Sequence, residues 1–124
     1  MSVPRLMLVD DDAAARRMMR RVLERRGYSV DEASDGRSGL DAVRADPPAA
    51  VLLDLRMPGE LSGIDVAGML RADPATAAIP IVVVSASTHL DARSLIEQVG
   101  CDAFVEKPVD FDELERVLAE LIPR

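Results

Sequence analysis

The sequence predicts an α/β fold, a doubly wound five-stranded parallel sheet with helices on both faces. Three observations carry that prediction. Short aliphatic runs alternate with longer amphipathic stretches five times over, the pattern that β–α repeats produce. Two of the runs, Ala50–Leu53 and Ile81–Val84, are apolar throughout, as expected for strands covered on both faces. Composition does not change along the chain, so nothing marks a linker, a repeat or a low-complexity segment. A chain of 124 residues matches the common size of one domain, and we take residues 1–124 as that unit.

The elements follow in order. Arg5–Val9 reads as a strand, and 12–26 as a helix with Ala15, Met18, Met19, Val22 and Leu23 on one face, stopped by Gly27. Tyr28–Glu32 alternates like a strand; Asp35-Gly36 then reads as a turn, followed by a helix over 37–46 with Leu40 and Val43 at helical spacing. Pro47-Pro48 ends it, because proline lacks the amide proton that the helical ladder needs. After the strand Ala50–Leu53 comes a short helix over 64–71 closed by Asp73-Pro74, then the strand Ile81–Val84 and a helix over 90–99 stopped by Gly100. Ala103–Glu106 is the fifth strand, and 111–122 the last helix, with Phe111, Leu114, Val117, Leu118 and Leu121 inward.

Composition excludes several functions. Fifteen basic against 22 acidic residues give a formal charge of −7, with one Tyr, two Phe and no Trp. Such a chain lacks the basic stripe and the stacking rings that nucleic-acid binding uses. One cysteine, Cys101, and one histidine, His89, rule out an intrachain disulfide, a multi-cysteine zinc site and any site with two imidazoles. No apolar run approaches the length of a membrane span or precedes a cleavage site, so the expectation is a cytoplasmic domain.

In an open parallel sheet, ligands sit beyond the carboxyl ends of the strands. The residues there are Asp10, Asp11 and Asp12 after the first strand, Asp54 after the third, Ser85 after the fourth, and Lys107-Pro108 after the fifth. Asp12 has the place of a helix N-cap. Carboxylates that converge repel one another, by about 4 kcal/mol for two charges 4 Å apart at an effective dielectric near 20. They therefore call for a cation, and with only oxygen ligands on offer the ion is hard, Mg²⁺ or Mn²⁺. Lys107 is the only lysine in a chain whose other basic residues are all arginine. A compact ammonium suits a single phosphoryl oxygen better than the planar guanidinium fork does. By contrast, His89 reads as solvated, Cys101 as a small residue before a strand, and the arginines 16, 17, 20 and 21 as a solvated helix face first and a contact surface for an acidic partner second.

Taken together, LMLVDDD, VLLDLRMPG, IPIVVVSAS and DAFVEKPVD, in that order along the chain, resemble the receiver domain of two-component response regulators, including the chemotaxis regulators. The resemblance covers the whole chain. It implies a flavodoxin-like sheet with strand order 2-1-3-4-5 and five helices. It implies Asp54 as the phosphoacceptor, with Asp10, Asp11, Asp54 and the backbone carbonyl of Arg56 around Mg²⁺. Ser85 and Lys107 match the groups that contact the phosphoryl oxygens, Ser85 and Phe104 the switch pair, and Pro108 the family's Lys-Pro, often a cis peptide. Arg56 and Ser87 fill positions that modulate phosphoryl lifetime. The implied donor is a histidine kinase or histidine phosphotransfer protein, with a small acyl phosphate as substitute. The implied output is a surface of the fourth helix, fifth strand and fifth helix that meets a downstream protein, or a second copy in a phosphorylation-linked dimer. Neither nucleic acid nor membrane is an expected direct partner. Beyond its own phosphorylation and slow autodephosphorylation, no turnover is implied.

Three other functions compete. A haloacid-dehalogenase-type phosphatase needs an aspartate two residues after its nucleophile, where this chain has Arg56. Nucleotide binding needs a glycine-rich loop after the first strand, where three aspartates stand. A phosphorylation-independent docking module on the same fold usually loses an acidic residue, the acceptor or the lysine, and here all are kept. Two departures from the family pattern stand out. The loop GELSG over 59–63 is one residue longer than usual, with Ser62 where Asp or Asn is common, and Val109 is smaller than the usual residue after Lys-Pro.

Overall fold

A computed structural model describes residues 3–86 and 92–122. Its elements are β1 (Arg5–Val9), α1 (Ala13–Arg25), β2 (Ser29–Ala33), α2 (Gly36–Ala45), β3 (Ala50–Leu53), α3 (Gly63–Ala72), β4 (Ile81–Ser85), α4 (Ala92–Val99), β5 (Ala103–Glu106) and α5 (Phe111–Leu121). The strands form one parallel sheet in the order β2-β1-β3-β4-β5, as the sequence predicts.

Side chains alternate across each strand, and that alternation divides the core in two. Val9, Leu53 and Val83 pack with Leu40 and Val43 of α2 and Val66 and Leu70 of α3. Leu8, Leu52 and Val84 pack on the opposite face with Met19 and Leu23 of α1 and Leu114 and Leu118 of α5. The chain first runs from β1 outward to β2, then crosses to β3 on the other side of β1. The crevice at such a reversal, beyond the carboxyl ends of β1 and β3, is where doubly wound sheets bind ligands. Asp10 and Asp54 are the first residues past those two ends.

Arg71 pins the far end of the central strands. Its guanidinium donates to the carbonyls of Ala77, Ile79 and Gly100 and to the Asp102 carboxylate. The same Asp102 carboxylate accepts the Ile81 amide at the start of β4.

Three expectations are corrected. Asp35-Gly36 is not a free turn: the Asp35 carboxylate accepts the Ser38 amide as the N-cap of α2, and Gly36 is the first helical residue. Met18 does not face the core. It is 59% exposed and instead lines an apolar groove of about 210 Å³ with Ala15, Met19, Lys107, Pro108, Val109 and Phe111. Tyr28 precedes β2 rather than opening it, and its ring is buried against the α1–α5 side of the sheet. Positions 87–91, with Ser87 and His89, lie outside the described residues.

Candidate functional site

The site begins with the way each strand ends. Beyond β1, the Asp10 amide still donates to Ala33 of β2, so the residue stays in the ladder while its carboxylate clears the sheet. One carboxylate oxygen of Asp10 accepts the Asp12 amide at 2.9 Å. Asp12 in turn caps α1, accepting the amides of Ala14 and Ala15. Beyond β3, the Asp54 amide donates to Val9, and its Oδ1 accepts the Arg56 amide at 3.0 Å. Both aspartates are nearly closed to solvent, at 3% and 8% exposure, whereas Asp11 is exposed.

Lys107 reaches in from the end of β5. Its Nζ lies 3.0 Å from Asp10 Oδ2 and 3.3 Å from Asp54 Oδ2. The backbone places it: the Lys107 amide donates to the Ser85 carbonyl, extending the β4–β5 ladder by one bond. The Lys107-Pro108 peptide is cis. Burial pushes the Asp54 carboxyl above the ordinary aspartate value; the Arg56 amide and Lys107 act against the rise, and the charge of Asp10 adds to it. Burial also works against the Lys107 ammonium, but its bond to Asp10 and the charges of Asp54 and Asp10 outweigh it, so its pKa lies above the usual lysine value.

Ser85 is wholly buried, and its hydroxyl has no hydrogen-bond partner among the described residues. A buried hydroxyl without a partner costs free energy, on the order of 1–3 kcal/mol, unless something arrives to use it. Phe104 lies opposite Val83, and Ser85 opposite Glu106, so Phe104 and Ser85 share one face of the sheet. The Phe104 ring is partly buried against the α2–α3 side of the core.

The donor set suits a hard divalent cation. Asp10, Asp11 and Asp54 each bring a carboxylate oxygen within 4.8 Å of the others. Three carboxylates face one ammonium, which leaves an excess of negative charge. All donors are oxygen, as Mg²⁺ and Mn²⁺ prefer.

The structure thus brings Asp10, Asp11, Asp54 and Lys107 together and ties Ser85 to Lys107 through the backbone. Arg56 meets the site through its amide rather than through its exposed side chain. Cys101 is buried, and burial raises its thiol above the ordinary value, in keeping with a small apolar residue before β5.

Two positions escaped the sequence reading. Gly63 opens α3 directly against the Asp54 backbone, and Arg16 donates to the Asp10 carbonyl at 2.7 Å. The loop over 59–63 delivers Gly63 to that place: Ser62 caps α3 in a reciprocal box with Asp65. An aspartate or asparagine is therefore not needed at position 62 to start the helix.

Comparison with known proteins agrees with this geometry. The family model described as the response regulator receiver domain matches residues 6–119. Response regulator MprA of Mycolicibacterium vanbaalenii is 38% identical over 120 residues, covering 97% of this chain and 51% of the relative. The chain thus spans about half the length of the curated relatives it matches. A CheY-like receiver domain structure from Methylobacillus flagellatus is 29% identical with a TM-score of 0.85, covering 97% of this chain and 99% of the other. The Vibrio cholerae chemotaxis protein CheY4, 23% identical, shares the fold with a TM-score of 0.88, covering 98% of this chain and all of the other.

Proposed function

We propose that this chain, which belongs to the response regulator receiver domain family, takes a phosphoryl group onto Asp54 and passes the change to a protein-binding surface. Phosphorylation on an aspartate is characteristic of that family. The observation that carries the assignment to this residue is the convergence of Asp10, Asp54 and the chain's only lysine at the switch point of the sheet.

Asp54 acts as nucleophile in its carboxylate form. Lys107 and the Arg56 amide favour that form, while burial keeps water from competing for the same oxygens. One carboxylate oxygen forms the new bond to phosphorus as the bond to the donor breaks, and the donor keeps the electron pair of the broken bond. That donor is a phosphohistidine of a kinase or phosphotransfer protein, or a small acyl phosphate. Lys107 stands 3.3 Å from Asp54, close enough to offset charge on the transferred oxygens, and the Ser85 hydroxyl, without a partner among the described residues, can donate to one of them. Asp10, Asp11, Asp54 and the Arg56 carbonyl would hold Mg²⁺, or Mn²⁺ in its place, which supplies positive charge to the phosphoryl oxygens when bound. Water later attacks the same phosphorus, the bond to the Asp54 oxygen breaks, and inorganic phosphate leaves as the Asp54 carboxylate is restored.

We read residues 1–124 as one receiver domain working in the cytoplasm. Recruitment of Ser85 by a phosphoryl oxygen draws its loop inward and gives the Phe104 ring room on the shared face. That biases a pre-existing equilibrium at α4, β5 and α5, the surface offered to a downstream protein or a second copy. Position 87 then modulates lifetime. The phosphorylation-independent docking reading is disfavoured by the intact set of acidic residues, acceptor and lysine.

The test is intact mass after incubation with acetyl phosphate and Mg²⁺. The gain of one phosphoryl group, absent in Asp54→Asn and absent without metal, supports the proposal; no gain with any donor overturns it. For the switch, amide spectra of α4, β5 and α5 should move when beryllium fluoride is added, and unchanged spectra count against that step.

A further inference from the structure

We infer that Arg16 is a positioning residue for the divalent-cation site, holding the Asp10–Asp11 peptide so that the Asp11 carboxylate points into the cluster. The inference rests on the metal-assisted phosphoacceptor reading above. Asp11 is the weak member of the carboxylate set. Asp10 is held by Lys107 and by the Asp12 amide, and Asp54 by Lys107 and the Arg56 amide. The Asp11 carboxylate is exposed and has no hydrogen bond or ion pair among the described residues, yet it lies in the same cluster. Its direction is therefore set by its backbone, which is held on both sides: the Asp12 amide donates to the Asp10 carboxylate, and the peptide shared with Asp10 is held through the Asp10 carbonyl.

Arg16 holds that peptide. Its Nη1 donates to the Asp10 carbonyl at 2.7 Å, and its Nε donates to Glu32 at 3.0 Å. Glu32 lies on β2 beside Leu8 of β1, so the guanidinium is referenced to the sheet and not merely to its own helix. The other Glu32 oxygen accepts Arg20 at 2.8 Å, so the two arginines bond different oxygens of the one carboxylate. The planar fork suits this pair of acceptors, because Nε and Nη1 donate from two atoms along fixed directions, whereas an ammonium is a single freely rotating centre. Outer contacts of this kind, which orient a ligand without touching the ion, commonly govern metal affinity by a factor of ten or more.

Arg20 provides the control. It shares Glu32 and adds Glu24 but has no hydrogen bond or ion pair to Asp10 among the described residues. Mg²⁺ alone is titrated calorimetrically into the wild-type chain and into Arg16→Met, Arg16→Lys and Arg20→Met, with metal-free thermal melts alongside. The expected result is a dissociation constant raised about tenfold in both Arg16 variants and unchanged in Arg20→Met, whatever each does to the melting temperature. At saturating Mg²⁺, labelling of Arg16→Lys by acetyl phosphate should return to the wild-type rate. If Arg16→Met does not fold, Arg16→Lys decides. Unaltered Mg²⁺ affinity in the Arg16 variants, equal weakening in Arg20→Met, or slow labelling of Arg16→Lys at every Mg²⁺ concentration overturns the inference. A wild-type chain that binds no Mg²⁺ overturns the metal reading itself, and this inference with it.

Discussion

Gly63, the first residue of α3, leaves no room for a side chain beside the backbone of Asp54. A Cβ there would run into the Asp54 carbonyl oxygen and the Leu55 Cα, while the Gly63 amide donates to the Leu55 carbonyl at 3.2 Å. The helix start and the end of β3 are therefore fitted backbone to backbone.

That contact makes Gly63→Ala a sensitive probe. The methyl group must displace backbone rather than a flexible side-chain tip, so the variant should lose about 1–3 kcal/mol of stability, the usual cost of overpacking. It should also slow phosphoryl transfer, because the Asp54 backbone moves with it. Urea denaturation checks the first point; a loss below about 0.5 kcal/mol would mean that the fit is loose.

Ser85 should show stability and function in opposition. Its buried hydroxyl has no partner among the described residues, so Ser85→Ala removes a desolvated group and should leave stability unchanged or raise it by about 1 kcal/mol. The same change should reduce the yield or lifetime of the phosphorylated form. Denaturation curves and time-resolved mass spectra check the pair, and a strongly destabilised Ser85→Ala would show that the hydroxyl is bonded in the resting state.

Asp54→Asn should stabilise the metal-free chain near neutral pH. Burial raises the Asp54 pKa above its unfolded value, so the folded state prefers the protonated acid. That preference favours folding below the unfolded pKa and is lost as pH rises through the folded one. The melting-temperature advantage of Asp54→Asn over the wild type should therefore be small in acid, grow as pH rises through that window, and then level off. Mg²⁺ at about a hundredfold excess over its dissociation constant should add about 2.7 kcal/mol to the wild type and less to the variant. Melts with and without chelator decide both points.

Glu32 gives the opposite sign. Hydrogen bonds from Arg20 and Arg16 hold its carboxylate below the usual glutamate value in spite of partial burial. Its contribution is present above the unfolded pKa, near 4.5, and is lost as pH falls through the lower, folded value. Glu32→Gln should cost up to about 1 kcal/mol at neutral pH, with the difference closing in acid. A difference that persists below the folded pKa would show that the residue acts by packing instead of charge.

The sheet was legible because β1, β3 and β4 are short, largely apolar runs, because parallel burial leaves little else for Ala50–Leu53 or Ile81–Val84 to do, and because β2 shows its alternation. The acidic pocket was legible because the carboxyl ends of parallel strands share one edge, which brought Asp10, Asp54 and Lys107 into view from their positions alone. Other features depend on tertiary geometry that periodicity does not encode. Asp35-Gly36 has the composition of a turn, but the Asp35 carboxylate is used as a helix cap. Met18 falls at a core spacing, yet the helix rotates it to the groove edge. Arg16 reads as surface charge in the sequence, because its partners are a backbone carbonyl and an acid of other elements. For Gly63, the only sign in the sequence was a glycine at a helix start, which does not name the carbonyl it must clear.

The central claim is that Asp54 carries the phosphoryl group. Borohydride converts an aspartyl phosphate to homoserine, so the chain labelled with acetyl phosphate and Mg²⁺ can be reduced, digested and sequenced by tandem mass spectrometry. Homoserine at position 54 and nowhere else is the result expected. Homoserine at position 10 or 11, or an unmodified position 54 in a chain that has gained a phosphoryl group, would contradict it.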